Sequence, residues 1–409
     1  MQSTPRSLRI QIVFAGRANA GKSSLVNLLS GQDTAIISPT RGTTTDVVEK
    51  AMELRPLGPV LLLDSAGTDD DSELGALRVS RTWRAIEKAD VLTIVTTPQI
   101  WGKDEQQLLE LAKQRNIPAV AVINKCDTAD ISDEFISLLT SQTNAAPITV
   151  NASDTTPGNR DRFVEAFVSV LLKRLPEEHF QSVPLLHDLL PERGHVVMMV
   201  PIDTQAPKGR LILPQVQAIR DALDGDAMCT VAKENMFPEI YSRFTTPPDL
   251  VICDSQVVKT MIDTLPPGIP CTTFSILMAR LKGDLEQLIA GAKTIAALKE
   301  NDKVLIAEAC THHAGTDDIG RVKIPALLQK KCNCKLDFEF FSGADFPADL
   351  SPYKLVVHCG GCMLNRRAML NRLYHLANAQ IPVVNYGICI SFCTGVLDKV
   401  ITPFTGSEN

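Results

Sequence analysis

One stretch constrains the fold of this chain more than any other: "GRANAGKS", from Gly16 to Ser23, between the apolar run "RIQIVF" and the helical pattern "SSLVNLLSG". The spacing G-x-x-x-x-G-K-S works by turning backbone N–H groups onto an anion at a helix N-terminus, so it needs a strand before it and a helix after it. A chain that meets this need repeatedly builds an α/β domain around a parallel sheet. The stretch to about residue 175 does so. "PVLLLDSAG", "DVLTIVTT", "AVAVINK" and "APITVNAS" are near-continuous apolar runs of the kind buried on both faces of such a sheet. "DEQQLLELAKQRN" lies between them at helical spacing, and Gly31 is placed to cap the first helix.

The chemistry of the loop assigns roles by position. Gly16, Asn19, Ala20, Gly21, Lys22, Ser23 and Ser24 form the phosphate cradle; Lys22 reaches the β- and γ-phosphates and Ser23 ligates Mg2+. "INKCD" places Asn124, Lys125 and Asp127 at a strand end, where a carboxylate can accept two hydrogen bonds from the guanine edge; adenine offers no matching donors. Asp64 of "DSAG" is expected to hold Mg2+ through water, and the N–H of Gly67 to sense the γ-phosphate. Thr43, Thr44 and Thr45 of "RGTTTD" supply switch-loop hydroxyls, Thr44 being the one assigned to the metal. Asn151 and Ala152 form a degenerate last guanine motif. The catalytic set is therefore Lys22, Ser23, Thr44, Asp64 and Gly67. The order and spacing of these motifs resemble the translation-factor-related GTPases. Thr68 stands where other GTPases carry a water-orienting glutamine, which implies slow intrinsic hydrolysis. Asn19 matches the asparagine with which the potassium-activated branch binds K+; the competing reading is an asparagine that only stabilises the turn.

Beyond residue 175 the pattern changes twice. "LLKRLPEEHFQSVPLLHDLLPERGH" reads as a linker with a short helix. "HVVMMVPID", "AIRDALD" and "PDLVICDSQ" then suggest a small α/β unit to about residue 265, and the prolines of "LPPGIPCTT" mark its end. "KVLIAEAC", "KLVVHCG" and "IPVVNYG" are the strands of a third α/β segment. The expected domains are 1–175, 180–265 and 266–409. A net charge of −6 over 409 residues argues against a broad nucleic-acid footprint. No apolar run reaches bilayer length, and the N-terminus runs into a strand without a signal pattern, so a cytoplasmic location is expected. In that compartment the eleven cysteines should be thiols or metal ligands rather than disulfides.

Five residues cluster by motif at strand ends: Cys310 and His312 in "CTH", and His358, Cys359 and Cys362 in "HCGGC". The edge outside the strands' carboxyl ends is where open α/β sheets collect ligands. Spacing alone leaves three chemistries open, namely a structural zinc site, an iron–sulfur cluster, and a redox dithiol. A guanine-nucleotide domain followed by C-x-H and H-C-x-x-C resembles the FeFe-hydrogenase maturation GTPases, the HydF family, over the whole chain in order. That resemblance implies a 4Fe-4S cluster on Cys310, Cys359 and Cys362, with an exchangeable fourth ligand drawn from His358, His312, Asp317 or Asp318. It further implies that the middle segment mediates homodimerisation. Cys332, Cys334, Cys389 and Cys393 fall outside the motif, Cys389 being the one placed to line the cavity.

The function implied is that of a GTP-hydrolysing scaffold and carrier. Such proteins accept a di-iron precursor made with two radical-SAM maturases and deliver it to apo FeFe-hydrogenase. Neither a membrane nor a nucleic-acid partner is expected. Two rivals stand beside it: an RNA- or ribosome-associated GTPase with a structural zinc domain, and a redox enzyme using the cluster for electron transfer.

Overall fold

The apolar runs of the first segment become the interior strands of one six-stranded sheet. In the computed structural model, which describes residues 4–31, 48–68, 81–175, 184–201, 211–309, 318–343, 347, 349–362 and 364–405, the chain divides into two units, Met1–Ser182 and Val183–Asn409.

In the first unit the strands are β1 (Ile10–Ala15), β2 (Val48–Leu54), β3 (Gly58–Asp64), β4 (Val91–Thr96), β5 (Ala119–Asn124) and β6 (Ile148–Val150), in the order β2-β3-β1-β4-β5-β6. β2 runs antiparallel to β3; every other pair is parallel. Register does the work of assembly. Phe14 lies beside Asp64, Thr96 beside Ile123, and Asn124 beside Val150. The loops bearing Gly16, Gly67, Asp127 and Asn151 therefore leave from one edge of the sheet. Below them, Phe14 stacks on Phe167 of the helix Pro157–Arg174 at 5.8 Å between centroids. Leu25 and Leu29 of the helix Lys22–Ser30 are fully buried in the same core. Burying each such side chain contributes about 1.5–3 kcal/mol, so the nucleotide loop is clamped between a buried strand and a buried helix. Gly31 caps that helix in the left-handed region, its N–H on the carbonyl of Asn27.

The second unit holds two four-stranded parallel sheets. β7 (His195–Met199), β8 (Met228–Ala232), β9 (Leu250–Cys253) and β10 (Cys271–Thr273) pair in the order β10-β9-β7-β8. β11 (Lys303–Glu308), β12 (Asp337–Ser342), β13 (Leu355–His358) and β14 (Val383–Asn385) pair as β12-β11-β13-β14. Side chains of both sheets, Val197, Val251, Val304 and Val356 among them, belong to one continuous core. In the second of these sheets Ala307 lies beside His358, and His358 beside Asn385. The chain after β11, the cysteine loop after β13 and the N-cap after β14 thus leave from one edge. Among the described residues no helix is long and apolar enough to cross a membrane.

Candidate functional site

At the edge of the first sheet the phosphate loop is held from several sides. Gly21 has φ 93°, in the left-handed region, and a Cβ there would sit 2.0 Å from Nδ2 of Asn124. Asn124 is 2% exposed. Its Nδ2 donates to the carbonyl of Ala20 at 2.9 Å, and its Oδ1 accepts from the N–H of Ala152 at 2.9 Å. One amide therefore pins the phosphate loop to the loop after β6, a bracing role beyond the guanine contact inferred from the motif. Lys22 extends over the loop, donating to the carbonyls of Gly16 at 3.0 Å and Arg17 at 2.7 Å.

Ser23 and Asp64 meet: the serine hydroxyl donates to Oδ2 of the carboxylate at 2.5 Å. Asp64 is fully buried, and its Oδ1 has no hydrogen-bond partner among the described residues. Burial raises its pKa, against the lowering effects of the Ser23 hydrogen bond and the Lys22 charge. A desolvated carboxylate with one open oxygen beside a serine hydroxyl is stabilised by a hard divalent cation, so these residues fit Mg2+. The loop after β3 lies directly on the phosphate loop. The N–H of Thr68 donates to the carbonyl of Gly16 at 3.3 Å, and a Cβ at Gly67 would come within 2.7 Å of the Ala18 nitrogen. Asn19 is exposed at φ 61°, and Lys125 has φ 60° with Asp127 exposed beyond it. Asn151 turns its Oδ1 onto the N–H of Ser153 at 3.0 Å. Thr43, Thr44 and Thr45 lie outside the described residues.

One brace had no signal in the sequence. Arg17, a variable position of the loop motif, bonds Glu105 through Nε at 2.8 Å and Nη2 at 3.1 Å. Glu105 is 1% exposed and also accepts from the N–H of Gly102 at 2.8 Å. In "DEQQLLELAKQ" a glutamate reads as solvated helix surface; only the fold brings it under the loop.

At the edge of the other sheet, Cys359 and Cys362 are both partly accessible thiols. The N–H of Ala309 donates to Cys359 Sγ at 3.1 Å. His358 is 1% exposed. Its Nε2 lies 2.8 Å from Arg372 Nη1, and its Nδ1 lies 2.6 Å from the carbonyl of Cys359. Burial, reinforced by the Arg372 charge, lowers its pKa to about 4. The ring is therefore neutral; a guanidinium can only donate, so Nε2 accepts and Nδ1 carries the proton. Asp318 is 2% exposed and caps the turn Ile319–Lys323, accepting from the N–H of Arg321 at 2.8 Å. Nearby, buried Glu308 accepts from Ser342 at 2.9 Å and from the Tyr386 hydroxyl at 3.2 Å. Lys282 reaches the loop from below, with Nζ on the carbonyls of Gly361, Cys362 and Leu364. Burial pulls its pKa down to about 8, and the neighbouring Cys362 and Cys359 act in the opposite sense. Cys310, His312 and Asp317 lie outside the described residues. Among the described residues no three His, Cys, Asp or Glu side chains converge as a metal set. Cys389 does not line a cavity: it is fully buried in the core, hydrogen-bonded to Cys393 on the same helix.

Three family models match the chain in succession. Residues 11–125 match the 50S ribosome-binding GTPase family, residues 185–283 the hydrogen maturase F dimerization domain, and residues 286–403 the hydrogen maturase F tetramerization domain. Curated relatives match mainly the first unit. The tRNA modification GTPase MnmE of Synechococcus sp. (strain JA-3-3Ab) is 45% identical over 123 residues, covering 29% of this chain and 26% of the relative. MnmE of Zymomonas mobilis is 30% identical over 240 residues, 58% of this chain and 49% of the relative. The chain thus spans between a quarter and a half of the length of these relatives. Among solved structures, Era from Aquifex aeolicus bound to GDP.AlF4- aligns at 18% identity and a TM-score of 0.36, over 57% of this chain and 98% of that one. The N-terminal unit is a GTPase domain. With both maturase-specific domains following it in order, the chain belongs to the hydrogen maturase F family.

Proposed function

We propose that the chain is a GTP-hydrolysing scaffold that holds a 4Fe-4S cluster, accepts a di-iron precursor and passes it to apo FeFe-hydrogenase. The observation that carries this reading is the occurrence, in one chain, of the Ser23–Asp64 pair under a phosphate loop and of a thiol-bearing loop inside the hydrogenase-maturase segment. Lys22 would bind the phosphates, Ser23 and Thr44 would ligate Mg2+ and Asp64 would hold it through water. Gly67 would report the γ-phosphate, while Asn124, Lys125 and Asp127 with Asn151 and Ala152 would frame guanine. Asn19 would hold K+, and its exposed position leaves the side chain available for that.

Cys359 and Cys362 with Cys310 supply three thiolates, a donor set that fits a cubane with one differentiated iron. When bound, such a cluster supplies an iron whose ligand can be exchanged, which is what a carrier of di-iron cargo needs. Both ring nitrogens of His358 are engaged, which favours His312, Asp317 or Asp318 over His358 as the fourth ligand. The division into a GTP-binding, a dimerising and a cluster-binding segment belongs to the same reading.

The deciding experiment is metal analysis of anaerobically purified protein with an EPR spectrum after dithionite. About four irons per chain and a reduced-cubane signal abolished in Cys359→Ser support the scaffold. Stoichiometric zinc without iron after reconstitution removes it. The MnmE matches favour a second reading, an RNA-associated GTPase with a structural metal; retention of total RNA on a nitrocellulose filter by the protein would support it. In the same preparations, equal GTP turnover in potassium and sodium buffers would remove the K+ role of Asn19.

A further inference from the structure

Lys282 ends the helix Phe274–Lys282 and is only 3% exposed. A buried ammonium is costly unless every N–H finds an acceptor. Here three carbonyls answer three N–H bonds: Gly361 at 3.2 Å, Cys362 at 3.0 Å and Leu364 at 2.9 Å. All three belong to the turn that carries Cys362. The helix is itself fastened beneath that region, since Asn385 Nδ2 donates to the carbonyl of Ser275 at 3.0 Å and Arg366 Nη1 to that of Leu281 at 2.5 Å. Lys282 also belongs to the segment matched to the dimerization domain, whereas the loop it holds lies in the tetramerization segment. One side chain therefore fastens the cysteine loop to a different sequence segment within the same core.

We propose that Lys282 is a positioning residue for the cluster: it holds the carbonyls of Gly361, Cys362 and Leu364 and so presents Cys362 beside Cys359, and it places a positive charge against a thiolate-ligated, negatively charged group. The proposal rests on the cluster reading above. Its electrostatic consequence has a definite sign. A cation beside a cluster favours the reduced state, which carries one more negative charge, so Lys282 raises the reduction potential. Both effects come from one group, because the ammonium is held by the very backbone it orders.

The test compares wild type, Lys282→Met and Lys282→Arg, each reconstituted anaerobically with iron and sulfide. Iron and sulfide per chain are measured, followed by an EPR-monitored redox titration. Lys282→Met is expected to retain about half the wild-type iron or less. The cluster it does hold is expected to be reduced with an equilibrium shifted at least about tenfold, 59 mV lower for a one-electron couple. Lys282→Arg keeps the charge and donors and is expected to recover the potential. Unchanged loading and potential in Lys282→Met overturn the proposal. Lower loading at an unchanged potential overturns it as well, since that describes a packing brace alone. Should circular dichroism show Lys282→Met unfolded, Lys282→Gln, which keeps N–H donors without charge, takes its place, and an unchanged potential in that variant overturns the proposal in the same way. A wild-type protein that takes up no iron fails the cluster reading itself, and is distinguishable because no variant is involved.

Discussion

Asp64 shows what a site residue costs its own fold. Its carboxylate is fully buried and only one oxygen is hydrogen-bonded among the described residues, so a charge there is desolvated at the position proposed to hold Mg2+. Burial raises the folded pKa above the unfolded one. By linkage the stabilising contribution is present at low pH and is lost as pH rises through the folded value. Nucleotide-free Asp64→Asn should therefore be more stable than wild type at pH 7, by about 1 kcal/mol, with the difference shrinking in acid. Its GTP hydrolysis, followed by phosphate release across a Mg2+ titration, should fall about a hundredfold or more. A variant as active as wild type would remove Asp64 from the metal site. A second residue-scale expectation concerns thiols. Cys389 donates its S–H to Cys393, and this hydrogen bond, ahead of the nearby Lys331 charge, lowers the Cys393 pKa. Burial lifts Cys271 and Cys332 to about 11. Limited alkylation with iodoacetamide at pH 7.5, mapped by mass spectrometry, should modify Cys393 before Cys271 and Cys332; the reverse order would contradict the assigned hydrogen-bond direction.

At the scale of elements, every strand that was not legible in the sequence lies at a sheet edge, although the edge strands β6 and β14 were legible as apolar runs. β1, β4 and β5 are buried along their whole length and stand out as apolar runs. β2, β8, β10 and β12 had no such signal, and each is the edge of its sheet. β2 alternates, with polar Glu49 and Lys50 among its residues, and β10 spans only three residues. An edge strand loses one neighbour and often one covered face, so its side chains need not be apolar. β8 carries this further. Met228 is 59% exposed and Val231 is 42% exposed on a strand with one backbone edge unpaired among the described residues. Within a segment matched to a dimerization domain, that edge is suited to pair with a second copy. The double variant Met228→Lys/Val231→Lys should shift the protein toward monomer in sedimentation equilibrium while leaving GTP hydrolysis intact. An unchanged oligomeric state would place the interface on another face.

At the scale of the whole molecule, the GTPase unit and the unit with the cysteine loop each own their core. Any communication between them must come from binding energies that differ between nucleotide states. If nucleotide controls docking, the affinity for apo FeFe-hydrogenase should differ between GTP- and GDP-loaded protein by about 5- to 150-fold, the range of ordinary allosteric couplings. Surface plasmon resonance with a non-hydrolysable GTP analogue and with GDP measures this directly. Equal affinities would mean that hydrolysis serves another step.

The nucleotide loop, the guanine motif, the order of the segments and the "CTH" and "HCGGC" motifs were all present in the sequence, because each depends on residues close together in the chain. Short-range spacing survives translation into letters. What tertiary structure decided is of a different kind. That Asn124 joins two loops, that Arg17 rests on Glu105, that Arg372 engages His358, and that Lys282 holds the cysteine turn all require residues 14 to 104 positions apart. Such pairs are selected by burial, since a polar group removed from water must find a partner wherever the fold brings one. Glu105, Lys282 and Arg372 look like ordinary surface residues until the core closes around them.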